Sequence, residues 1–367
     1  MEWLLGILSS AFLILSLHSL YRKYDVLTSY HPTVSNTNHE LGLSIVLCTQ
    51  GQAPRLLSYL EKILAQKYSL YEVLVVCKNT PLETLESLQS LSVQHSLLTI
   101  IDITNKDCPY SEKKQALNIG ITQAKYDWIV TIDDDCYPST ENWLVSIAQN
   151  LAHKETDILL GFSPYISQSG LLNQWIRFDA LQVAISYAYF TLIEKPYMGI
   201  GRNMAFKKEL WSQDYLKKYD TLGSGDDTTL VQYYKEKKKI GIFIYPLVYS
   251  FPHMSFSSWI KQKIRHVNKG NQMDNSFKIN LAKPLLYGFL FWLFIWIWMS
   301  YFAFHFIIFF LVFIYISIKT FFYFRISRHI QWKVNPSLYV YIFDAPYNLC
   351  LLLLPFFSIF IKNKWRD

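Results

Sequence analysis

Two long stretches of this chain carry no lysine, arginine or acidic side chain. They run from Trp3 to Tyr21 and from Pro284 to Ile318. Because a helix needs about 20 apolar residues to cross a bilayer, the first stretch predicts one membrane anchor, residues 1–23. The second predicts a hairpin of spanning helices, residues 284–318, joined near residues 299–305. A buried core helix is the alternative for the first stretch, although core helices usually have a polar face.

A third hydrophobic segment, residues 338–361, follows the hairpin. It is interrupted by Asp344, Pro346 and Pro355, and basic residues follow it. A plain span would place those basic residues outside the cell, against the usual charge bias. The sequence therefore leaves two interpretations open, a spanning helix and a re-entrant or interfacial helix.

Basic residues flank the predicted spans on one side. Arg22 and Lys23 follow the anchor, and Lys319, Arg325 and Arg328 end the hairpin in a region that lacks acidic residues. Lysine and arginine accumulate on the cytoplasmic side of membrane proteins. The sequence therefore predicts an integral protein of the plasma membrane whose central domain is cytoplasmic.

The segment between the membrane stretches, residues 42–270, alternates short apolar runs with longer amphipathic stretches. This alternation predicts successive β-α-β units, and therefore an α/β domain with a mainly parallel sheet. Ligands of such sheets bind beyond the carboxyl ends of the strands. The predicted strands are Leu43–Cys48, Glu72–Cys77, Leu97–Ile103, Asp127–Ile132 and Asp157–Phe162, and the predicted helices lie near residues 54–66, 81–94, 111–125 and 139–153.

The composition excludes several classes of protein. Hydrophobic residues make up 51% of the chain and charged residues 17%, which is too apolar for a disordered chain. The net charge of +7 is modest and spread among hydrophobic stretches, so we expect no nucleic-acid partner. The 5 cysteines are scattered, which argues against a disulfide framework or a zinc module.

The predicted fourth strand is followed at once by Asp133, Asp134 and Asp135. Adjacent carboxylates repel each other and need a cation, and Mg²⁺ and Mn²⁺ prefer carboxylate oxygens and bridge them to phosphates. Alternation along an extended chain places Asp133 and Asp135 on one side, so these two are the candidate metal ligands. A solvated acidic turn that caps the next helix is the alternative.

Four further motifs carry groups that bind anions or move protons. Lys113 opens a helix whose N-terminus favours phosphate. Taken singly, each motif also fits an ordinary element: a lysine-bearing surface helix, a Gly-Asp turn, or an amphipathic helix lying on the membrane. The motifs are Lys113–Asn118, Gly199–Phe206 with Arg202 and Asn203, Gly223–Thr228 with Asp226 and Asp227, and Trp259–His266 with Gln262, Arg265 and His266.

In this order, and followed by apolar helices, these motifs resemble those of the family 2 glycosyltransferases with a GT-A fold. The resemblance covers roughly residues 42–270 and implies a nucleotide-diphospho-sugar transferase domain, Rossmann-like, flanked by N- and C-terminal transmembrane helices. It implies that the metal on the diphosphate of a nucleotide-sugar donor is bound by Asp133 and Asp135. It also implies that the catalytic base is Asp227, beside Asp226.

The resemblance further assigns residues around the two substrates. Gln262 and Arg265 match the family's Q-x-x-R-W motif, which helps to hold the diphosphate and the acceptor end, and His266 stands where that motif has tryptophan. Family members usually carry acids after the second strand that contact the donor base, and this chain has Cys77 and Lys78 there. We expect donor or acceptor contacts from Lys113, Asp134, Arg202, Asn203, Gln262, Arg265 and His266.

The sequence thus predicts an inverting glycosyltransferase that uses Mg²⁺ or Mn²⁺. The anchor and the hairpin place its site at the cytoplasmic membrane face, which favours a lipid or lipid-linked acceptor, or a saccharide. Two alternatives stay open. One is a processive polysaccharide synthase, and the other is a non-catalytic membrane-bound binding protein of the same fold.

Overall fold

The computed structural model describes residues 1–31, 41–51, 53–104, 112–154, 156–219, 225–252, 255–270, 275–302, 306–336 and 339–360. The chain forms two compact units. The sheet unit consists of His31–Ile166 and Phe190–Phe251, and the helical unit of Met1–Tyr30, Ser167–Tyr189 and Pro252 onward. Part of the predicted 42–270 domain, including the Gln262–His266 motif, therefore belongs to the helical unit.

The sheet unit is built on a mixed sheet of 7 strands in the order β3-β2-β1-β4-β7-β6-β8. Strands β1 to β4 are parallel, β7 runs antiparallel to both of its neighbours, and β5 pairs with β9 in a separate ribbon. The strands are β1 (Leu43–Gln50), β2 (Tyr71–Lys78), β3 (Leu98–Asp102), β4 (Trp128–Asp133), β5 (Cys136–Pro138), β6 (Ile158–Leu160), β7 (Met204–Lys207), β8 (Ile240–Ile242) and β9 (Val248–Ser250).

The helices follow the predicted alternation through residue 154. Helix α2 shows why, because Leu56, Leu60 and Ile63 recur at helical spacing and are all fully buried. All of the predicted strands and helices are confirmed to within a few residues. The helices that contribute to the sheet unit are α2 (Leu56–Leu64), α3 (Leu82–Gln94), α4 (Glu112–Gln123), α5 (Trp143–Lys154), the C-terminal end of α6 (Leu171–Leu192), α7 (Gln213–Lys218) and α8 (Asp226–Tyr234).

The register of the parallel strands aligns their carboxyl ends. Cys48 on β1 lies beside Asp133 at the end of β4, and Gln50 lies beside Lys78 at the end of β2. The polar residues that follow these strands therefore share one edge of the sheet. This is the edge at which the sequence analysis places the ligand site.

The helical unit contains the apolar helices. Three of them, Glu2–Ser29, Phe277–Phe302 and Phe306–His329, are long and apolar enough to cross a membrane. The predicted anchor and hairpin thus form helices of the required length. Residues 303–305, between the two helices of the hairpin, lie outside the described residues. The elements of this unit are α1 (Glu2–Ser29), most of α6, α9 (Phe256–Gly270), α10 (Asn275–Phe302), α11 (Phe306–His329), a π-helical turn (Tyr339–Phe343) and α12 (Asp344–Phe360).

The third hydrophobic segment, predicted as residues 338–361, forms the π-helical turn and α12. Its apolar part, Tyr339–Pro355, is shorter than the three long helices. Asp344 at the start of α12 is buried and accepts a hydrogen bond of 2.6 Å from Lys319 Nζ on α11. The acid that interrupts the hydrophobic run is therefore paired within the helical unit.

Candidate active site

The acidic segment after β4 brings together groups that suit a cation. One ligand atom each from Asp133, Asp135 and Cys136 lies within 4.8 Å of the others. The thiol of Cys136 donates to Asp135 Oδ1 at 3.1 Å, and burial, followed by the charge of Asp135, raises its pKa well above the ordinary value. Hard divalent cations prefer oxygen ligands, so the two carboxylates fit Mg²⁺ or Mn²⁺ and Cys136 supports Asp135.

Asp134 points to a different partner. Its Oδ2 atom accepts a hydrogen bond of 2.9 Å from Thr49 Oγ1 at the end of β1. The hydroxyl ties the acidic segment to the neighbouring strand, which fixes the positions of Asp133 and Asp135 on either side. The middle residue of the acidic run, Asp134, is thus hydrogen-bonded to a different strand.

Lys113, in the first turn of α4, faces the predicted metal carboxylate. Its Nζ atom lies 2.9 Å from Asp133 Oδ1. The carboxylate of Asp133 is the largest influence that raises the pKa of Lys113 above its ordinary value, and Asp227 raises it further. Lys113 therefore lies directly beside the predicted metal ligand Asp133.

Arg202 supplies a second cation to this site. Its guanidinium carbon lies 4.8 Å from the centre of the Tyr165 ring. Burial lowers the pKa of Arg202, but neighbouring groups outweigh that effect and raise it above its ordinary value. These groups are Tyr165, Cys136, Asp135 and Asp133. Arg202 thus stays charged close to the acidic segment, where it can bind a diphosphate in a bidentate manner.

Asn203 is placed differently from its neighbour. It is fully buried, its Oδ1 accepts from Trp143 Nε1 and its Nδ2 donates to the Phe162 carbonyl, each at 2.9 Å. Both ends of the amide are engaged by the protein, so Asn203 supports the turn that carries Arg202.

Asp227 lies in the first turn of α8 and is partly exposed. Its Oδ2 accepts from the backbone N–H of Gly201 and its Oδ1 from that of Thr228, at 2.9 and 2.8 Å. The residue before the helix, Gly225, has φ of 96°, a left-handed conformation that glycine adopts without steric cost. The Gly223-Ser224 part of this motif lies outside the described residues.

Residues 44–213 match the family described as Glycosyl transferase family 2. This chain carries a family 2 glycosyltransferase domain. The family predicted from the order of the motifs is thus confirmed, and the protein is a glycosyltransferase that uses a nucleotide sugar. No curated protein sequence matches the chain.

Solved structures of other glycosyltransferases are similar to this chain. The mannosyltransferase PcManGT from Pyrobaculum calidifontis, in complex with GDP-Man and Mn²⁺, has a TM-score of 0.60 at 15% identity over 99% of this chain and 100% of its own. S. aureus TarS 1-349 has a TM-score of 0.43 at 14% identity, over 89% of this chain and 94% of its own. GalNAc-T7 with UDP, GalNAc and Mn²⁺ has a TM-score of 0.44 at 13% identity, over 59% of this chain and 44% of its own. At 15% identity the likeness to PcManGT shows the fold alone.

The remaining motif of the glycosyltransferase lies on α9 in the helical unit. Gln262 and Arg265 are partly buried there, and His266 is exposed. The helix is held by Asp179 on α6, whose Oδ2 lies 2.6 Å from Lys263 Nζ and 3.1 Å from Trp259 Nε1. The other oxygen, Oδ1, accepts from Tyr347 Oη on α12 at 3.0 Å. The motif helix is thus fixed within the unit that contains the apolar helices.

Lys78, the last residue of β2, is nearly buried. Lys78 is 9% exposed, and its Nζ donates to Gln115 Oε1 on α4 at 3.3 Å. Gln50 at the end of β1 donates to Glu112 on the same helix. Sequence patterns did not reveal Gln115, Glu112 or Thr49 because hydrogen bonds between separate elements have no local signal.

Gly199 allows the Asp227 backbone to come close. A Cβ atom at Gly199 would lie 2.6 Å from the carbonyl oxygen of Asp227, whereas one at Gly201 would meet Asp227 at 3.6 Å, an ordinary contact. We expect Gly199→Ala to displace Asp227 and lower the rate of sugar transfer by about 10²-fold, the usual effect of a misplacement of about 1 Å.

The matched control for this prediction is Gly201→Ala, which keeps the backbone N–H that binds Asp227. Initial rates of transfer and melting temperatures of both variants decide the matter. Equal rates in the two variants would show that close approach at Gly199 does not position Asp227.

Proposed function

We propose that this glycosyltransferase moves a sugar, with inversion, from a nucleoside-diphosphate sugar to a lipid or lipid-linked acceptor at the cytoplasmic membrane face. One observation carries the proposal. Two consecutive lysines of α4 contact both carboxylate groups: Lys113 Nζ lies 2.9 Å from Asp133, and Lys114 Nζ lies 3.5 Å from Asp226, the neighbour of Asp227. Two separate carboxylate positions beside one helix suit a reaction in which one side binds a leaving diphosphate and the other removes a proton.

The donor side consists of Asp133, Asp135, Lys113 and Arg202. The two carboxylates would hold Mg²⁺ or Mn²⁺, which neutralises charge on the diphosphate as it leaves. The contact between Lys113 and Asp133 places a cation beside the metal ligands. Lys113 and Arg202 would bind the remaining phosphate oxygens, and positive charge arranged in advance stabilises the transition state without reorganisation.

The acceptor side is Asp227. Its carboxylate is fixed by two backbone N–H groups and is partly exposed, so it can accept a proton from an acceptor hydroxyl. The acceptor oxygen forms a bond to the anomeric carbon while the bond from that carbon to the diphosphate breaks. The proton goes to Asp227, and the configuration inverts because the oxygen enters opposite the leaving group.

The helical unit supports a lipid acceptor. Helix α9, with Gln262 and Arg265, is joined by Asp179 and Tyr347 to the same unit as three helices long enough to cross a membrane. Residues that bind the acceptor end would then lie beside lipid. A processive polysaccharide synthase is the second candidate, although the three candidate spans among the described residues are few for a channel that conducts a polymer.

The acceptor proposal is tested with membranes that contain the protein and a panel of radiolabelled UDP-, GDP- and other nucleotide sugars. We expect one donor to transfer label to a product that partitions into organic solvent, because a glycosylated lipid keeps its apolar chain. Membranes with Asp227→Asn are the control. A long water-soluble product would instead identify a polysaccharide synthase, and label confined to water-soluble small molecules would contradict the lipid acceptor.

The cytoplasmic orientation is tested by cysteine labelling. Ser90 is exposed on α3, and Ser300 is exposed near the end of α10. We expect a membrane-impermeant thiol reagent to label Ser300→Cys in intact cells and Ser90→Cys only after permeabilisation. Cys108 and Cys350 are first replaced by serine. Burial raises the pKa of the other three thiols, Cys48, Cys77 and Cys136, so they react slowly. Labelling of Ser90→Cys in intact cells would show that the sheet unit lies outside the cell and would contradict the proposed orientation.

A further inference from the structure

A lysine and an aspartate form an ion pair in the interior of the sheet unit. Lys114 on α4 is 0% exposed and Asp226 at the start of α8 is 5% exposed. Lys114 Nζ lies 3.5 Å from Asp226 Oδ1 and donates to the carbonyl oxygen of Tyr219, which precedes α8 in the chain. The lysine therefore connects α4 to both sides of the Gly223–Thr228 motif.

This arrangement is a costly way to stabilise a protein. Removal of two charges from water costs several kcal/mol for each ion, and a close pair recovers that energy only when its other polar atoms are satisfied. Within the described part of the chain, Asp226 Oδ2 is buried and has no hydrogen-bond partner. An apolar pair of the same volume would serve stability as well or better, so stability does not account for this pair.

The geometry around Asp226 points to a positional role. Its backbone carbonyl accepts from Tyr215 Oη at 3.0 Å, and the same hydroxyl is 2.9 Å from Thr229 Oγ1. Together with Lys114, these contacts fix the side chain and the backbone of the first residue of α8. The next residue is Asp227, whose carboxylate faces Gly201.

The two consecutive lysines of α4 thus face two different acids. Lys113 contacts Asp133 on the metal side, and Lys114 contacts Asp226 beside the base. A single helix therefore contacts the metal ligand Asp133 and the residue next to the base Asp227, and so sets the relative positions of the two sides of the reaction. Their separation decides whether an acceptor hydroxyl can reach the anomeric carbon.

We propose that Lys114 is a positioning residue that acts through Asp226 to hold the base Asp227 at a fixed distance from the donor side. The proposal rests on the proposed function, in which Asp227 accepts the proton. It assigns no substrate contact to Lys114, so donor binding should not depend on it.

The decisive variant is Lys114→Met/Asp226→Asn, which removes both charges and leaves no unpaired ion in the core. We expect kcat to fall roughly 10- to 100-fold, as for a base displaced by about 1 Å, while the donor KM and the Mn²⁺-dependent affinity for nucleoside diphosphate stay within about twofold. Amide hydrogen exchange in residues 225–234 should rise, because the first turn of α8 has lost its anchor.

A matched control is available in the same unit. Lys207 on β7 and Asp157 form an ion pair of 2.8 Å, and Lys207→Met/Asp157→Asn should leave kcat and exchange in α8 unchanged. If Lys114→Met/Asp226→Asn has the parental kcat and exchange in α8, the pair is only structural and the proposal is overturned. An equal loss of kcat and nucleotide affinity would also overturn it.

The two proposals fail in distinguishable ways. If the parent protein transfers no sugar, the proposed function fails, and exchange in α8 still reports whether Lys114 fixes the helix start. If the parent is active and the double variant is fully active, only the positioning role fails.

Discussion

Asp227→Asn is expected to lose sugar transfer by ~10²–10⁴, the contribution of a general base, while it binds metal and nucleotide nearly as well as the parent. The reason is structural. The two oxygens of Asp227 accept from the backbone N–H groups of Gly201 and Thr228. Asparagine has the same size but one acceptor oxygen, so it keeps one of these bonds and loses the proton acceptor. Single-turnover transfer and calorimetric nucleotide affinity, measured on the same preparation, separate these effects.

Asp214→Asn is the control for this prediction. Asp214 is an exposed acid in the first turn of α7, in the same unit, and its replacement should change neither measurement. Near-parental transfer by Asp227→Asn would remove Asp227 from the mechanism. A matching loss of nucleotide affinity would instead move it to the donor side.

Asp135→Asn should abolish transfer and the dependence of nucleotide binding on metal. An amide oxygen is a much weaker ligand for a hard divalent ion than a carboxylate, and Asp133 alone offers too few oxygens. The affinity for UDP or GDP, with and without Mn²⁺, provides the measurement. The parent should bind more tightly with Mn²⁺ by about tenfold or more, since the ion held by the carboxylates would supply positive charge for the phosphates, and the variant should bind equally with or without it.

Asp127→Asn tests whether the effect of Asp135→Asn is specific. Asp127 is exposed next to the other end of β4, so the same chemical change there should leave the metal response intact. A metal response that survives in Asp135→Asn would contradict the assignment of Asp133 and Asp135 as ligands.

Much of the sheet unit was predictable because its elements carry local patterns. Val73, Val75 and Cys77 alternate along β2 and reach the core, and Leu56, Leu60 and Ile63 repeat at helical spacing. Helix α6 was not predicted, and its two charged residues, Arg177 and Asp179, do not mark a polar segment. Asp179 is in fact buried against Lys263, Trp259 and Tyr347 from distant parts of the chain.

The candidate site divides in the same way. Asp133 and Asp135 could be proposed as metal ligands because they follow an apolar strand, and Asp227 could be proposed as the base because of the motif order. The burial of Asn203 against Trp143 and the pairing of Lys114 with Asp226 join residues far apart in sequence. Such contacts have no periodicity that a sequence reveals, so they required the structure.

The measurement that tests the central claim most directly is the release of nucleoside diphosphate by the purified protein from a panel of nucleotide sugars, with Mn²⁺ and a membrane extract as the acceptor source. The account predicts release from one class of donor, dependence on the divalent ion, and loss of release in both Asp135→Asn and Asp227→Asn. Tight metal-dependent binding of a nucleotide sugar without any release across the panel would contradict it, and would identify a binding protein that has kept the fold and lost turnover.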